Sequence, residues 1–193
     1  MRIESWDDTM SPNLRVDVLG SDPRINDSDV VILFGEGPWE GWETTFLTPN
    51  SYSMPLCAPA YLVDGMTRDP QELADYTWMQ VSHFPELWSR WCAAAGYSGL
   101  QPKRYFEVNN GAMAREAALS GMGIWMAGGR AGAPLDPDFA AGNLVLAHAF
   151  HAYMFQFGFY LACRSQSLGN PLVPAFREWM LAHYGVLSPA KNA

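Results

Sequence analysis

Tyr105-Phe-Glu-Val-Asn-Asn-Gly-Ala-Met-Ala-Arg-Glu-Ala-Ala-Leu-Ser-Gly-Met-Gly-Ile-Trp-Met-Ala-Gly128 decides the fold class, because its residues change period in a fixed order. Tyr105 to Val108 has the aromatic and β-branched composition of a short strand. Asn109 and Asn110 are good helix N-caps, and Gly111 lets backbone or ligand come close. From Ala112 onward small and apolar residues recur at helical spacing (Met113, Ala117 and Ser120; Ala114, Ala118 and Gly121), which suits close packing on a sheet. Gly121 and Gly123 stop the helix, and Ile124 to Ala127 opens a second buried strand. The stretch is therefore an α/β unit whose helix begins with two amides and free backbone N–H groups, an arrangement that suits an anion or a polar ligand. On local sequence alone, the plainer reading that Asn109 and Asn110 only cap the helix has the better claim.

Composition sets the frame around this unit. A chain of 193 residues buries roughly 70% of its unfolded surface, enough for one domain or two small lobes. The apolar share of 49% and the charged share of 17% place it among globular chains. A net charge of −8 argues against a grip on nucleic acid by this chain itself, since neutralising phosphates needs a basic surface. Cys57, Cys92 and Cys163 are odd in number and lack CxxC spacing, which suits reduced core thiols in a cytoplasmic protein. No apolar leader follows Met1, and no stretch reaches the roughly 20 apolar residues of a membrane span, so no membrane partner is expected.

Upstream, strand-like pieces run over Arg2 to Trp6, Leu14 to Leu19 and Val30 to Leu33, with no amphipathic helix between them. Phe34-Gly-Glu-Gly-Pro-Trp39 reads as a glycine-rich turn that lacks the phosphate-loop pattern, and Trp42 to Leu47 reads as a strand. Ser51 to Pro59 is extended, and a short helical turn follows at Ala60 to Val63. Asp69-Pro70 opens a helical turn, and Thr77 to Val81 is a strand. Phe84, Leu87, Trp88, Trp91, Cys92 and Ala95 form an aromatic helical stripe, which packs a core far more often than it binds a ligand. Downstream come a loop over Gly128 to Pro137, a short helix over Asp138 to Gly142 and a strand over Leu144 to Ala147. Tyr153 to Cys163 reads as a long buried strand. Asn170-Pro171 then starts a helix with the stripe Leu172, Phe176, Trp179, Met180 and His183, and a tail follows from Leu187.

In this order the motifs resemble those of LysR-type transcriptional regulators, in the branch named for the glycine-cleavage activator. Asp29-Val-Val-Ile-Leu-Phe-Gly-Glu-Gly-Pro-Trp-Glu-Gly-Trp42 resembles that family's Asp-Val-Asp-Ile-Arg-Phe-Gly-x-Gly-x-Trp-x-Gly. Met54-Pro-Leu-Cys-Ala-Pro59 resembles Pro-Val-Cys-Ser-Pro, and Glu86-Leu-Trp-Ser-Arg-Trp91 resembles Asp-Trp-x-x-Trp-Leu. Phe106-Glu-Val, followed by Ala117-Ala-Leu-Ser-Gly-Met-Gly-Ile124, resembles Phe-Asp-Asp followed by Ala-Ala-x-x-Gly-x-Gly-Val. Tyr160 to Cys163 and Ala175 to Met180 match the closing strand and helix. Order and spacing over residues 29 to 185, rather than any one motif, make the match specific.

The resemblance implies an α/β fold of the type II periplasmic-binding-protein kind, with two lobes around a ligand cleft joined by two crossover strands near Ser51 to Pro59 and Phe150 to Phe157. The lobes are expected at 1–54 with 156–193, and at 55–155. Function by resemblance is effector sensing for a transcription regulator that pairs as a homodimer or higher homo-oligomer. DNA would be met only through a helix-turn-helix domain, and no such pattern is present in this chain. The family's opening strand-helix-strand also lacks its helix here, which points to a start near the family's second strand. Ligands of open α/β sheets sit beyond the carboxyl ends of strands, at helix N-termini. Phe34, Gly35 and Glu36 in the first lobe are thereby candidates for a small polar effector. Ser82, His83, Asn109 and Asn110 are the candidates in the second lobe, with His151 and Tyr153 of the crossover as the floor.

Three rival readings remain open at the level of sequence: a stand-alone solute-binding protein, a small hydrolase, and a functionless paralogue that still folds. Against an enzyme, GxSxG is missing, and His148-Ala-Phe-His151 lacks the glutamate of a zinc protease, so no catalytic residue, metal or cofactor is expected.

Overall fold

The computed structural model describes residues 16–19, 28–48, 51–82, 84–130, 135–153 and 157–183. The strand expected at Arg2 to Trp6, the tail from Leu187 and the candidate His83 lie outside them. Contacts divide the chain into two units, one of 1–48 with 156–193 and the other of 49–155.

The first unit is built on a nearly unbroken apolar strand. Its sheet contains β1 (Val16–Leu19), β2 (Val30–Glu36), β3 (Trp42–Phe46) and β10 (Phe157–Arg164), in the order β1-β2-β10-β3. Strand β1 runs parallel to β2, and β10 is antiparallel to both its neighbours. Burial on both faces explains the composition of β10. Leu161 and Cys163 meet Val173, Met180 and Leu181 of helix α4 (Leu172–His183), and Ala162 packs with Val31 and Leu33. Asn170 Oδ1 accepts from Leu172 N at 3.0 Å and caps that helix. The buried side of α4 is thus Val173, Met180 and Leu181, while Trp179 of the expected stripe stays 44% exposed. Phe176 and Met180 of the expected stripe do pack into this core, and Val173 and Leu181 complete the sheet-facing side.

Two boundaries differ from the reading of the sequence. Phe34, Gly35 and Glu36 do not form a turn, because they continue β2 and pair with Phe159, Gly158 and Phe157. Tyr153 is likewise separate from β10 and belongs to a two-residue strand of the second unit. Gly158 is needed where it stands, since a Cβ there would lie 2.3 Å from Thr48 Oγ1. That hydroxyl cannot yield cheaply, because it accepts from Phe159 N at 3.0 Å.

The second unit holds β4 (Ser51–Cys57), β5 (Thr77–Val81), β6 (Arg104–Val108), β7 (Ile124–Arg130), β8 (Val145–Leu146) and β9 (Ala152–Tyr153). The sheet order is β6-β5-β7-β4-β8, with β9 also paired to β4. Strand β5 is parallel to both β6 and β7, and β4 is antiparallel to β7. Alternation along β5 sends Met79 and Val81 into one core with Ala114, Ala117 and Ala118 of helix α2 (Gly111–Leu119). Trp78, just before Met79 and so of opposite phase, goes to the other face and stacks on Trp88 of helix α1 (Leu87–Ala94) at 4.0 Å between centroids. Each indole N–H of that layer is spent on backbone: Trp78 on Leu73 O, Trp88 on Met79 O and Trp91 on Phe150 O. The aromatic stripe of α1 is core.

Helix α2 is tied to a short helix, α3 (Pro137–Ala141), by charge. Arg115 Nε donates to Asp136 Oδ2 at 2.8 Å, and the same guanidinium pairs with Asp138. Asp136 Oδ1 also accepts from Asp138 N and Phe139 N, capping α3. The bonded Arg115 holds Asp136 below the usual carboxylate range, helped by those backbone donors and opposed by burial. A carboxyl lowered in the fold stabilises above its unfolded value of about 3.9 and loses that contribution as pH falls through the folded value. Urea titrations should therefore find Asp136→Asn less stable than wild type by on the order of 1 kcal/mol at neutral pH. The gap should be full above about pH 5 and should close on acidification below about pH 4; a gap constant from pH 3 to 7 would disprove the assignment.

Candidate functional site

The parallel register of β5 fixes one polar end of the second sheet. Val81 pairs with Val108, so β5 and β6 finish together, and Ser82 N donates to Val108 O at 2.9 Å. Trp78 pairs with Ile124 and Met79 with Trp125; carrying that register three residues further sets Ser82 level with Gly128. Gly128 pairs with Ser53, and Ser53 with Ala152. Asn109, Ser82, Gly128, Ser53 and Ala152 thus form one row across the carboxyl end of the parallel strands. One residue further out lies a second row containing Asn110, Gly129, Tyr52 and Tyr153, with Gly129 paired to Tyr52 and Tyr52 to Tyr153.

Asn110 is extended at φ −152° and ψ 167°, and its Oδ1 accepts from Met113 N at 3.0 Å. Its carbonyl oxygen is therefore spent on the helix, while its Nδ2 group remains available, as do the N–H groups of Gly111 and Ala112, which no helical carbonyl can reach. Asn109 and Ser82 are both exposed. This end offers neutral donors and a positive helix terminus.

Sequence reasoning passed over three residues of β4. The hydroxyls of Ser51 and Ser53 are buried and have no hydrogen-bond partner among the described residues. A buried hydroxyl left unpaired costs about 1–3 kcal/mol, so two at one strand end mark a place organised for something polar. Their alternation in an otherwise apolar strand was the available signal. Tyr52, between them, turns to the α2 side and packs against its core. The ring lies over the β7 backbone so closely that a Cβ on Gly129 would come within 2.5 Å of it.

The floor residues divide by environment. His151 and Tyr153 are exposed, and their rings meet Tyr52 at 5.7 and 6.4 Å and each other at 5.9 Å between centroids. His148 is buried instead, with Nδ1 accepting from Phe150 N at 2.9 Å. That bond assigns the proton to Nε2, which faces Arg68 O at 3.3 Å.

In the first unit Phe34, Gly35 and Glu36 occupy the carboxyl end of β2, past Leu33, the last residue paired with the parallel strand β1. Phe34 is wedged edge-on against Phe157 and Phe159 at 5.0 and 4.8 Å, Gly35 is buried, and Glu36 is exposed at the strand end. Ser82, Asn109, Asn110, His151 and Tyr153 are thus gathered at one end of one sheet, while these three belong to the other unit.

Burial pushes Cys57 up to about 12 and Cys92 up to about 11, and it raises Cys163 as well, so the thiols stay protonated at neutral pH. Among the described residues no group of three or more His, Cys, Asp or Glu could hold a metal ion.

The sequence profile of the LysR substrate binding domain matches residues 12–185. The chain is 26% identical over 162 residues to the glycine cleavage system transcriptional activator of Escherichia coli K12, covering 83% of this chain and 51% of that protein. It is 27% identical over 164 residues to the HTH-type transcriptional activator AmpR of Enterobacter cloacae, covering 83% and 52% respectively. The chain therefore spans about half the length of the curated relatives it matches. Among solved structures, the regulatory domain of CrgA from Neisseria meningitidis superposes with a TM-score of 0.69 at 20% identity, over 89% of this chain and 98% of that one. The effector domain of AmpR from Pseudomonas aeruginosa gives 0.67 at 20% identity, over 90% and 95%. The fold is that of LysR-type effector domains.

The cap and its neighbour separate by mutation. Asn110→Ala should lower stability by about 1 kcal/mol through the lost bond to Met113 N, and Asn109→Ala should leave it unchanged within about 0.3 kcal/mol. Equal losses in chemical denaturation would refute this division of roles.

Proposed function

The chain belongs to the LysR substrate binding domain family, and on that premise we propose that it is the effector-sensing part of a LysR-type transcriptional regulator, with a small polar metabolite bound at the carboxyl end of its second-unit sheet. The observation that carries this reading is the polar set at this sheet end: the exposed amides of Asn109 and Asn110 with the free N–H groups of α2, and, on the sheet face away from α2, the buried, unpartnered hydroxyls of Ser51 and Ser53. Ser82, His83, His151 and Tyr153 complete the proposed set in that unit. Two or three such hydrogen bonds contribute roughly 1 kcal/mol each, and more where the ligand is charged. Raised thiols and a row of neutral amides support binding without turnover.

Calorimetry over a panel of metabolites tests the site. A hit should bind at least about tenfold more weakly to Asn109→Ala/Asn110→Ala than to wild type, a loss of roughly 1.4 kcal/mol. Mass analysis should recover the ligand unchanged. Unaltered affinity in the double variant would remove these amides from the site, and chemical conversion of the ligand would overturn the sensing reading.

We also propose a homodimer or higher homo-oligomer formed through the β6 edge and the adjoining flank of α2. Phe106 shares the α2 side of its strand with Val108 yet is 36% exposed, and Met113 is 50% exposed. Met113 stands about 200° around the helix from Arg115, whose flank is tied to α3, so it looks toward the open edge. Contiguous apolar surface on an unpaired edge strand favours a partner. Sedimentation should find a dimer at high micromolar concentration that Phe106→Glu/Met113→Glu converts to monomer; a wild-type monomer under those conditions would end the proposal.

A further inference from the structure

The outer row of the second sheet carries a feature that a polar metabolite alone does not use. Tyr52, His151 and Tyr153 close into a triangle of rings at centroid separations of 5.7, 6.4 and 5.9 Å. Interplanar angles of 59°, 71° and 67° set the rings edge to face, so ring surface is left to solvent around the triangle. Tyr153 is 67% exposed and lies on a strand of only two residues. Such a ring contributes little to a core and instead keeps aromatic surface at the strand end.

The sequence also guards the position of the central ring. Glycine at 129 is the only residue that lets Tyr52 lie over the β7 backbone, because any Cβ there would stand 2.5 Å from the ring carbons. Gly128, its neighbour in the first row, meets nothing within 4 Å where a Cβ would project. On its inner side Tyr52 packs into the core that includes Ala114, one turn along α2 from the capping Asn110. The ring leans over β7, and β7 is separated from β6, which leads into that cap, only by β5. The distance from the ring of Tyr52 to the free N–H groups of α2 is therefore about two strand spacings, roughly 10 Å.

We infer that the effector carries a flat aromatic ring seated on Tyr52, His151 and Tyr153, joined by a short spacer to a carboxylate or similar acceptor at the N-terminus of α2. The inference rests on the sensing reading and adds the chemical class of its ligand. Neutral donors and a helix terminus recognise the acceptor end, and the aromatic triangle recognises the planar end.

Three acids test it on the whole chain by calorimetry: 3-phenylpropionate, 3-cyclohexylpropionate and hexanoate. The first two share length, charge and nearly equal apolar volume, and differ in ring flatness and π electrons. Expected is saturable binding of 3-phenylpropionate, roughly three- to tenfold tighter than 3-cyclohexylpropionate, with hexanoate weaker than both. Tyr52→Leu should abolish the preference for the flat ring. Tyr153→Leu, at an exposed position that leaves the fold intact by circular dichroism, should reduce it at least twofold. Asn109→Ala/Asn110→Ala should weaken both ring acids alike and leave their ratio unchanged. Equal binding of the two ring acids, or a preference that survives both tyrosine variants, overturns the aromatic inference while leaving the amide site standing. Loss of the preference together with insensitivity to the asparagine variant overturns the placement of the acid end, and absence of saturable 3-phenylpropionate binding overturns the inference outright.

Discussion

Strand β5 has a parallel partner on each side, and the second unit is organised around that constraint. Parallel neighbours cannot be joined by a hairpin, so each crossover needs a helix, and each such helix must begin at the carboxyl end of the strand it follows. Helix α2 begins there because β6 ends at Val108, level with Val81. Exposed N–H groups, capping amides and the hydroxyl of Ser82 collect at that end as a consequence of connectivity. Antiparallel β4 then delivers its first residues, Ser51 to Ser53, to the same end from the opposite direction. A polar row assembled from distant parts of the chain is what this topology produces, whatever ligand it serves.

Much of that row was legible in the sequence. The change of period from Tyr105 to Gly128 gave strand, helix and strand, and the structure places α2 at Gly111–Leu119 with Asn110 as its cap. The indole stripe of α1 read as core and is core, with Trp88 and Trp91 buried. Misreadings cluster where glycine had been taken as punctuation. Gly35 suggested a turn, yet it lies inside β2 opposite Gly158, at which a Cβ would lie 2.3 Å from Thr48 Oγ1. Gly128 and Gly129 suggested the start of a loop, yet they extend β7, where Gly129 makes room for the ring of Tyr52. In both places glycine serves a close approach rather than a bend.

The residues missed in β4 were hidden for a different reason. Register cannot be read from one strand alone, and the meaning of Ser51, Tyr52 and Ser53 comes from what lies opposite: Arg130, Gly129 and Gly128 on one side, and Tyr153 and Ala152 on the other. A crossover segment read in isolation is merely extended chain with a proline. Paired at both edges, it becomes the strand that sets two hydroxyls on one face and an aromatic ring on the other. His148 and His151 show the same dependence on partners. One is hydrogen-bonded between Phe150 N and Arg68 O, and the other stands against two tyrosines, although the sequence offers the same side chain three residues apart.

The distribution of titratable groups bears on why this end of the sheet suits recognition better than reaction. Catalysis by general base or nucleophile needs a group whose charge is poised near neutral pH and directed at the reacting atom. The three thiols are driven away from ionisation by burial, and Asp136 is driven fully into it by Arg115. What faces outward from the two rows is a set of amides, a hydroxyl and rings, among them the imidazole of His151, groups that would fix the orientation and identity of a bound molecule. Their hydrogen bonds to a ligand would be balanced against water, so affinity would come from how many are made together and how rigidly the scaffold holds them. Rigidity is supplied beneath the row by the stacked indoles of Trp78 and Trp88, whose N–H groups are anchored to the backbone. A firm layer under a donor-rich rim is the physical basis on which the proposed sensing of a small polar molecule would rest.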